Sequence, residues 1–200
     1  MTWLSTPTLI GNRITLRPLQ LTDAAALAAA VDKPEAFRWT TVPADEAGAL
    51  AYIRTAHDIP DRVAFAVIDH ENDHLVGTTS YYDIKPTDRT VSVGYTWYSS
   101  TAQGTSINPE AKLLLLQNAF EDLGAVRVVW HTDERNAQSR AGIAKLGATF
   151  EGLLRKHKSV PDGAIEGTDR PKIWRTTAQY SMTDDDWPAA KATLEQRLKG

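Results

Sequence analysis

Two short stretches carry the residue types that could bind and activate a ligand. Ser99 to Glu110 reads S-S-T-A-Q-G-T-S-I-N-P-E, and Asn136 to Ser139 reads N-A-Q-S. The first is a small-residue loop between a strand-like and a helix-like run. Such a loop points several backbone N–H groups at one place, and the positive end of the following helix adds a field there. That is how a phosphate cradle is built. Ser/Thr/Gly/Asn clusters also mark ordinary loops, so this stretch alone leaves both readings open. The second stretch offers the Asn136 amide, donor and acceptor, and the Ser139 hydroxyl one helical turn later. The same pair also suits a plain helix N-cap with its first-turn serine.

The neighbouring elements decide whether the two stretches can meet. Thr90 to Tyr98 (TVSVGYTWY) alternates as a strand and leads into the loop. A helix follows, with Asn108 at its N-cap, Pro109 at the first helical position, Glu110 in the first turn, and Leu113, Leu116, Phe120 and Leu123 as its apolar stripe before Gly124 ends it. Val126 to Thr132 (VRVVWHT) is the next strand, and a strand–helix–strand succession makes it parallel to the first. Asn136 then caps a helix running to Leu146, closed by Gly147. With the two strands side by side, Gln103–Asn108 and Asn136 share one edge at the strands' carboxyl ends, where open sheets place ligands.

The rest of the chain reads as the frame for that edge. Ile14–Pro18 is a strand, and Thr22-Asp23 caps an alanine-rich helix through Val31. A second helix covers Pro43 to Ala56. Arg62–Asp69, Leu75–Ile84 and Thr90–Tyr98 form an antiparallel meander. Ala148–Leu154 and Ile173–Met182 are late strands separated by a polar excursion, and Asp184–Leu198 is a terminal helix. No linker or repeat divides residues 1–200, so a single domain is expected.

Composition removes several functions. With 42% hydrophobic and 24% charged residues and a formal charge of -3, the chain has no global positive field to hold nucleic acid or an anionic membrane. It has no cysteine, hence no thiolate nucleophile and no Cys-based zinc site. No apolar run reaches bilayer-spanning length, and MTWLSTPTLIGNR lacks a signal pattern, so a cytoplasmic protein is expected. His131 lies in a strand with no partner at metal-ligand spacing, and His70 and His74 flank a polar turn, so no metal is expected. Trp39, Trp97, Trp130 and Trp174 read as core or groove lining.

Asn136-x-x-Ser139, then Lys145-Leu146-Gly147-Ala148 and Glu151-Gly152, together with V-G-Y-T-W in the Thr90 strand and N-P-E-A-K at the following helix, resemble the GNAT acetyltransferases, in particular their ribosomal-protein N-terminal acetyltransferase branch. The resemblance covers nearly the whole chain. It implies an α/β (α+β) fold: a mixed, mostly antiparallel sheet with a parallel pair at the CoA-binding opening and helices on both faces. It also implies that acetyl-CoA is the cosubstrate and a primary amine, on a protein N-terminus or a small molecule, the acceptor. Backbone groups of Tyr95, Trp97 and Tyr98 would take pantetheine and polarise the thioester. The loop Gln103, Gly104, Thr105, Ser106, Ile107 and Asn108 would hold the pyrophosphate, and Asn136 and Ser139 the pantetheine arm and the departing sulfur. Gln103 and Gly104 suit the family's loop pattern, whereas Ser106 and Asn108 stand where glycines are the rule. Ser92 stands where many members of the branch carry a glutamate base. Ser139 and Tyr98 are therefore taken first as catalytic groups, with Tyr82, Asp83 and His131 behind them. Arg135, Arg140, Arg155, Lys156 and Lys158 read first as a solvated face and second as an attraction for CoA phosphates. A silent acyl-CoA-binding or regulatory module is the alternative function, and the late strand and terminal helix could build a homodimer.

Overall fold

Period-two alternation of β-branched and aromatic residues with polar ones writes most of this sheet, and the strands form where it runs. A computed structural model describes residues 3–5, 7–161 and 172–199. Its strands are β1 (Leu9–Ile10), β2 (Ile14–Pro18), β3 (Val63–Asp69), β4 (His74–Lys85), β5 (Thr90–Tyr98), β6 (Arg127–Asp133), β7 (Thr149–Pro161) and β8 (Lys172–Thr183). They make one sheet in the order β1-β2-β3-β4-β5-β6-β8-β7, antiparallel throughout except for the β5–β6 pair. Helices α1 (Ala24–Ala29) and α2 (Glu46–Asp58) cover one face over a core that includes Leu27, Ile53, Ala66 and Trp97. Helices α3 (Ile107–Gln117), α4 (Ala137–Ala144) and α5 (Trp187–Lys199) lie on the other, where Leu115, Leu116, Ile143 and Leu194 meet Tyr81, Val91, Val93, Val128 and Met182. The expected mixed sheet with helices on both faces is present.

Several boundaries differ from those expected. The first helix starts after Asp23 as expected but ends at Ala29, short of Val31, and the Asp23 carboxylate takes Arg17 at 2.7 Å and the Gln20 amide at 2.8 Å rather than capping it. Helix α3 starts at Ile107, with Ser106 in the capping position, so Asn108 is not the cap and Pro109 sits third. Proline is tolerated there because no N–H of the first turn has an intrahelical partner, and Ile107 is drawn into the core. The buried side of α3 centres on Ala111, Leu115, Leu116 and Ala119, with Leu113 only partly buried, so the expected stripe is rotated. Tyr81 explains part of this: its buried hydroxyl donates to the Leu115 carbonyl and to Asn118 Oδ1, and the helix widens into a π turn at Asn118–Asp122. Strand β7 runs on to Pro161, well past Leu154. Residues 162–171 of the polar excursion between the late strands lie outside the described residues.

Candidate active site

The β5–β6 register runs only from Thr90↔Arg127 to Ser92↔Val129. Three residues further along β5, the ladder to β4 also breaks. Thr78 pairs with Trp97 and Ser80 with Gly94, so Thr79 alone faces both Tyr95 and Thr96. This is a β-bulge, and Tyr95 takes a positive φ of 48° to make it. A bulged strand bends and twists, and here it leaves a wedge between Val93–Tyr98 and Trp130–Asp133. The bulge also resets the alternation. Trp97 points to the α1/α2 side, edge-on to Phe37 at 5.7 Å, whereas Tyr98 points into the core beneath α3. Tyr95 is exposed, with the Arg62 guanidinium 3.7 Å above its ring.

The loop after β5 forms one rim of the wedge. Gln103 Nε2 donates to the Tyr98 carbonyl at 2.9 Å and ties the loop to the strand end. Gly104 has φ 76°, a left-handed conformation, and a Cβ built there meets no atom within 4 Å. The Thr105 hydroxyl donates to the Ala102 carbonyl at 2.7 Å and accepts the Ile107 amide at 3.2 Å. Among the described residues no protein acceptor takes the amides of Gly104, Thr105, Ser106 or Asn108. Ser106 has φ -73° and so does not need glycine. Buried Glu110 anchors the helix start from behind, accepting the amides of Asn12 and Arg13.

Asn136 forms the other rim. Its Oδ1 accepts the Ser139 amide at 3.0 Å, so the carbonyl half of the side chain caps α4. Asn136 and Ser139 are both half-buried. The topology thus places the loop and the α4 start on one sheet edge, as expected. It does not bring Tyr98 together with Ser139 by any hydrogen bond, and the Tyr98 hydroxyl is buried without a partner, its acidity pushed down by that burial. Arg135 ion-pairs with Asp133 and lies 5.3 Å over Trp39, and Arg140 bonds the Tyr180 hydroxyl, so the cations adjacent in sequence are engaged separately. Two hollows of about 420 and 430 Å³ flank these elements, one between α4's end and α5, the other between Asn12 and His70 and the loop residues Thr105, Ser106 and Ile107.

Two features of the site were not legible beforehand. Lys112, one turn into α3, is 7% exposed and donates to Thr96 Oγ1 at 3.0 Å in the bulge. Burial lowers its pKa to about 7. On the opposite face a polar chain crosses four strands. The Tyr82 hydroxyl lies 3.0 Å from His131 Nδ1, and His131 Nε2 lies 3.0 Å from Gln179 Oε1. Gln179 Nε2 donates to Glu151 at 2.9 Å, and Glu151 is gripped by the Arg127 guanidinium, which holds its pKa down at about 2. Among the described residues no three His, Asp or Glu side chains converge as a metal site.

The sheet opens at its single parallel pair, with amides lacking a protein acceptor among the described residues on one rim and a capped helix on the other. Residues 13–149 match the Acetyltransferase (GNAT) domain, and the chain belongs to that family. It is 25% identical over 164 residues, 80% of this chain and 92% of the other, to an uncharacterised N-acetyltransferase, p20, of Bacillus licheniformis. A GCN5-related N-acetyltransferase from Brucella melitensis superposes with TM-score 0.86 at 27% identity, covering 97% of this chain and 86% of that one. Mycobacterium smegmatis RimJ in complex with CoA-disulfide superposes with TM-score 0.74 at 20% identity over 98% and 95%, a likeness of fold.

Proposed function

We propose that the protein is an acetyl-CoA-dependent N-acetyltransferase of the ribosomal-protein N-terminal acetyltransferase type, acting on a primary amine of a protein N-terminus or a small molecule. The observation that carries the reading is the set of amides at Gly104, Thr105, Ser106 and Asn108, without a protein acceptor among the described residues, on the loop that follows β5 beside the β5–β6 wedge. The RimJ neighbour is a complex with CoA-disulfide, which agrees with a pantetheine-bearing ligand.

Acetyl-CoA supplies the activated acetyl group. The loop amides and the positive end of α3 hold the pyrophosphate, and the missing Cβ of Gly104 lets it approach the backbone. Asn136 Nδ2 and the backbone of Tyr95–Tyr98 orient the pantetheine, and the splayed strand edge supplies donors to polarise the thioester carbonyl. The Ser139 hydroxyl, on the first turn of α4, hydrogen-bonds the departing sulfur. Tyr98 presents a buried hydroxyl without a protein partner from the strand end. The amine attacks directly, so its nitrogen must lose a proton as the N–C bond forms and the C–S bond breaks.

Ser92 favours a second reading. It is buried, 3.5 Å from Asp83, and no carboxylate occupies its position, as a silent acyl-CoA-binding module would allow. Thiol release from acetyl-CoA on adding amines, including N-terminal peptides, decides between them: turnover supports the enzyme, tight CoA binding without turnover the module. No helix among the described residues is long and apolar enough to cross a membrane. We place the reaction in the cytoplasm.

A further inference from the structure

The acetyl-transfer reading leaves the amine without a base, since Ser92 cannot accept a proton at neutral pH. Its cross-strand partner is Tyr82. From β4 the Tyr82 ring lies over β5 at Gly94, where a Cβ would stand 2.7 Å from Tyr82 Cε1. Only glycine lets the ring across. The ring then packs edge-on to Tyr95 of the bulge at 5.2 Å, and its hydroxyl reaches His131 on β6. His131 is two residues past Val129, the last β6 residue paired with β5. The hydroxyl–imidazole bond therefore bridges the mouth of the wedge, on the face opposite α3.

Hydrogen-bond logic fixes which way the protons run. An ionised carboxylate only accepts, and Glu151 takes the Arg127 guanidinium, the Ser181 hydroxyl at 2.8 Å and Gln179 Nε2 at 2.9 Å. That turns Gln179 Oε1 toward His131 Nε2, and a carbonyl oxygen also only accepts. Nε2 must then carry the imidazole proton, and Nδ1 keeps a lone pair aimed at Tyr82. The Tyr82 hydroxyl donates.

We propose, on the acetyl-transfer reading, that Tyr82 is the catalytic residue contacting the acceptor amine and passes the amine's proton to Nδ1 of His131, which the Arg127–Glu151–Gln179 chain holds in the accepting tautomer. As the amine nitrogen bonds the acetyl carbon, its proton moves to the Tyr82 oxygen and the Tyr82 hydroxyl proton moves to Nδ1. The C–S bond breaks with its electron pair on sulfur, and His131 becomes an imidazolium donating to Tyr82 and Gln179. The imidazolium returns its extra proton through Nδ1 and the Tyr82 hydroxyl to solvent once the product has left; the exposed His157 ring, 5.4 Å from that of His131, is held by Thr177 Oγ1 at 3.0 Å. The groups facing His131 are Asp83 and Tyr82 from β4, His157 and Lys158 from β7, and Arg175 from β8. Burial lowers the His131 pKa, with Arg175 and Lys158 acting the same way against Gln179 and Asp83, so the imidazole is neutral and ready at neutral pH.

Two measurements on the full chain test this. Histidine 15N NMR of the unliganded protein should show His131 as the Nε2–H tautomer, titrating below the ordinary histidine range, and Gln179→Leu should mix the tautomers. An Nδ1–H tautomer in the wild type overturns the relay. In steady-state assays, Tyr82→Phe, which keeps the ring packing, and His131→Asn should each lower kcat/KM by about 10²-fold and abolish the acidic limb of its pH profile. Wild-type rate and limb in Tyr82→Phe overturn the relay and leave acetyl transfer standing. Absence of thiol release by the wild type with every amine overturns acetyl transfer itself and the relay with it.

Discussion

Replacing Lys112 by methionine should stabilise the protein. The lysine is 7% exposed and its pKa is lowered by burial from 10.5 to about 7. A base whose pKa falls on folding binds more protons in the unfolded chain between those two values, so stability rises with pH across that window. At 1.36 kcal/mol per pKa unit, the full penalty for the charged lysine is roughly 5 kcal/mol, and on the order of 4 kcal/mol of it remains at pH 7. Methionine keeps most of the stem's volume and removes the charge. The loss is one hydrogen bond to Thr96, about 1 kcal/mol, and the Thr96 hydroxyl keeps Thr79 Oγ1 at 2.7 Å and the Gly94 carbonyl at 3.2 Å. Lys112→Met should thus gain roughly 3 kcal/mol at pH 7, a Tm rise of about 6–12 °C for a chain of this size. The gain should vanish by pH 10.5. Urea unfolding of both proteins at several pH values measures this. A variant less stable than wild type at pH 7, or a difference that does not change with pH, would show that the ammonium is compensated in the fold and refute the reasoning.

Two further substitutions separate packing from ligand binding. Asn136→Ala removes both halves of the amide and should cost about 1 kcal/mol of stability as well as CoA affinity. Asn136→Asp keeps the acceptor for the Ser139 amide, so it should retain stability in thermal melts while weakening CoA in calorimetry; equal CoA affinity in Asn136→Asp would remove Asn136 Nδ2 from the site. Gly94→Ala places a Cβ 2.7 Å from Tyr82 Cε1 and should displace the tyrosine, lowering kcat at least as much as Tyr82→Phe and changing the near-UV circular dichroism.

The parts of this protein that could be read from the sequence are those specified locally. The sequence bounds Thr90–Tyr98 because alternation and turn residues mark both ends, and Asn136 caps α4 because Asn followed by a helix-forming run has one favourable local use. The parallel β5–β6 pair followed from chain order alone. The bulge is not legible in the sequence because its left-handed residue is Tyr95, and a glycine is what signals such a conformation. The sequence places the start of α3 two residues late because Asn108-Pro109 satisfies capping preferences that the burial of Ile107 overrides. No local pattern marks Lys112 as buried, and the packing of α3 on β5 buries it. Tyr82 and His131 were each visible as weak candidates. Their bond joins residues 49 positions apart across an intervening strand, and no local pattern encodes that.

The proposed role of the wedge between β5 and β6 is to present acetyl-CoA to an amine. Its most direct test follows free CoA thiol and the mass of the amine in the same reaction, using acetyl-CoA and a panel of small amines and N-terminal peptides. Thiol release matched by acetylated amine, dependent on both reactants and weakened by Asn136→Asp, is the predicted result. Tight CoA binding with no acetylated product from any amine, or no CoA binding at all, would contradict it.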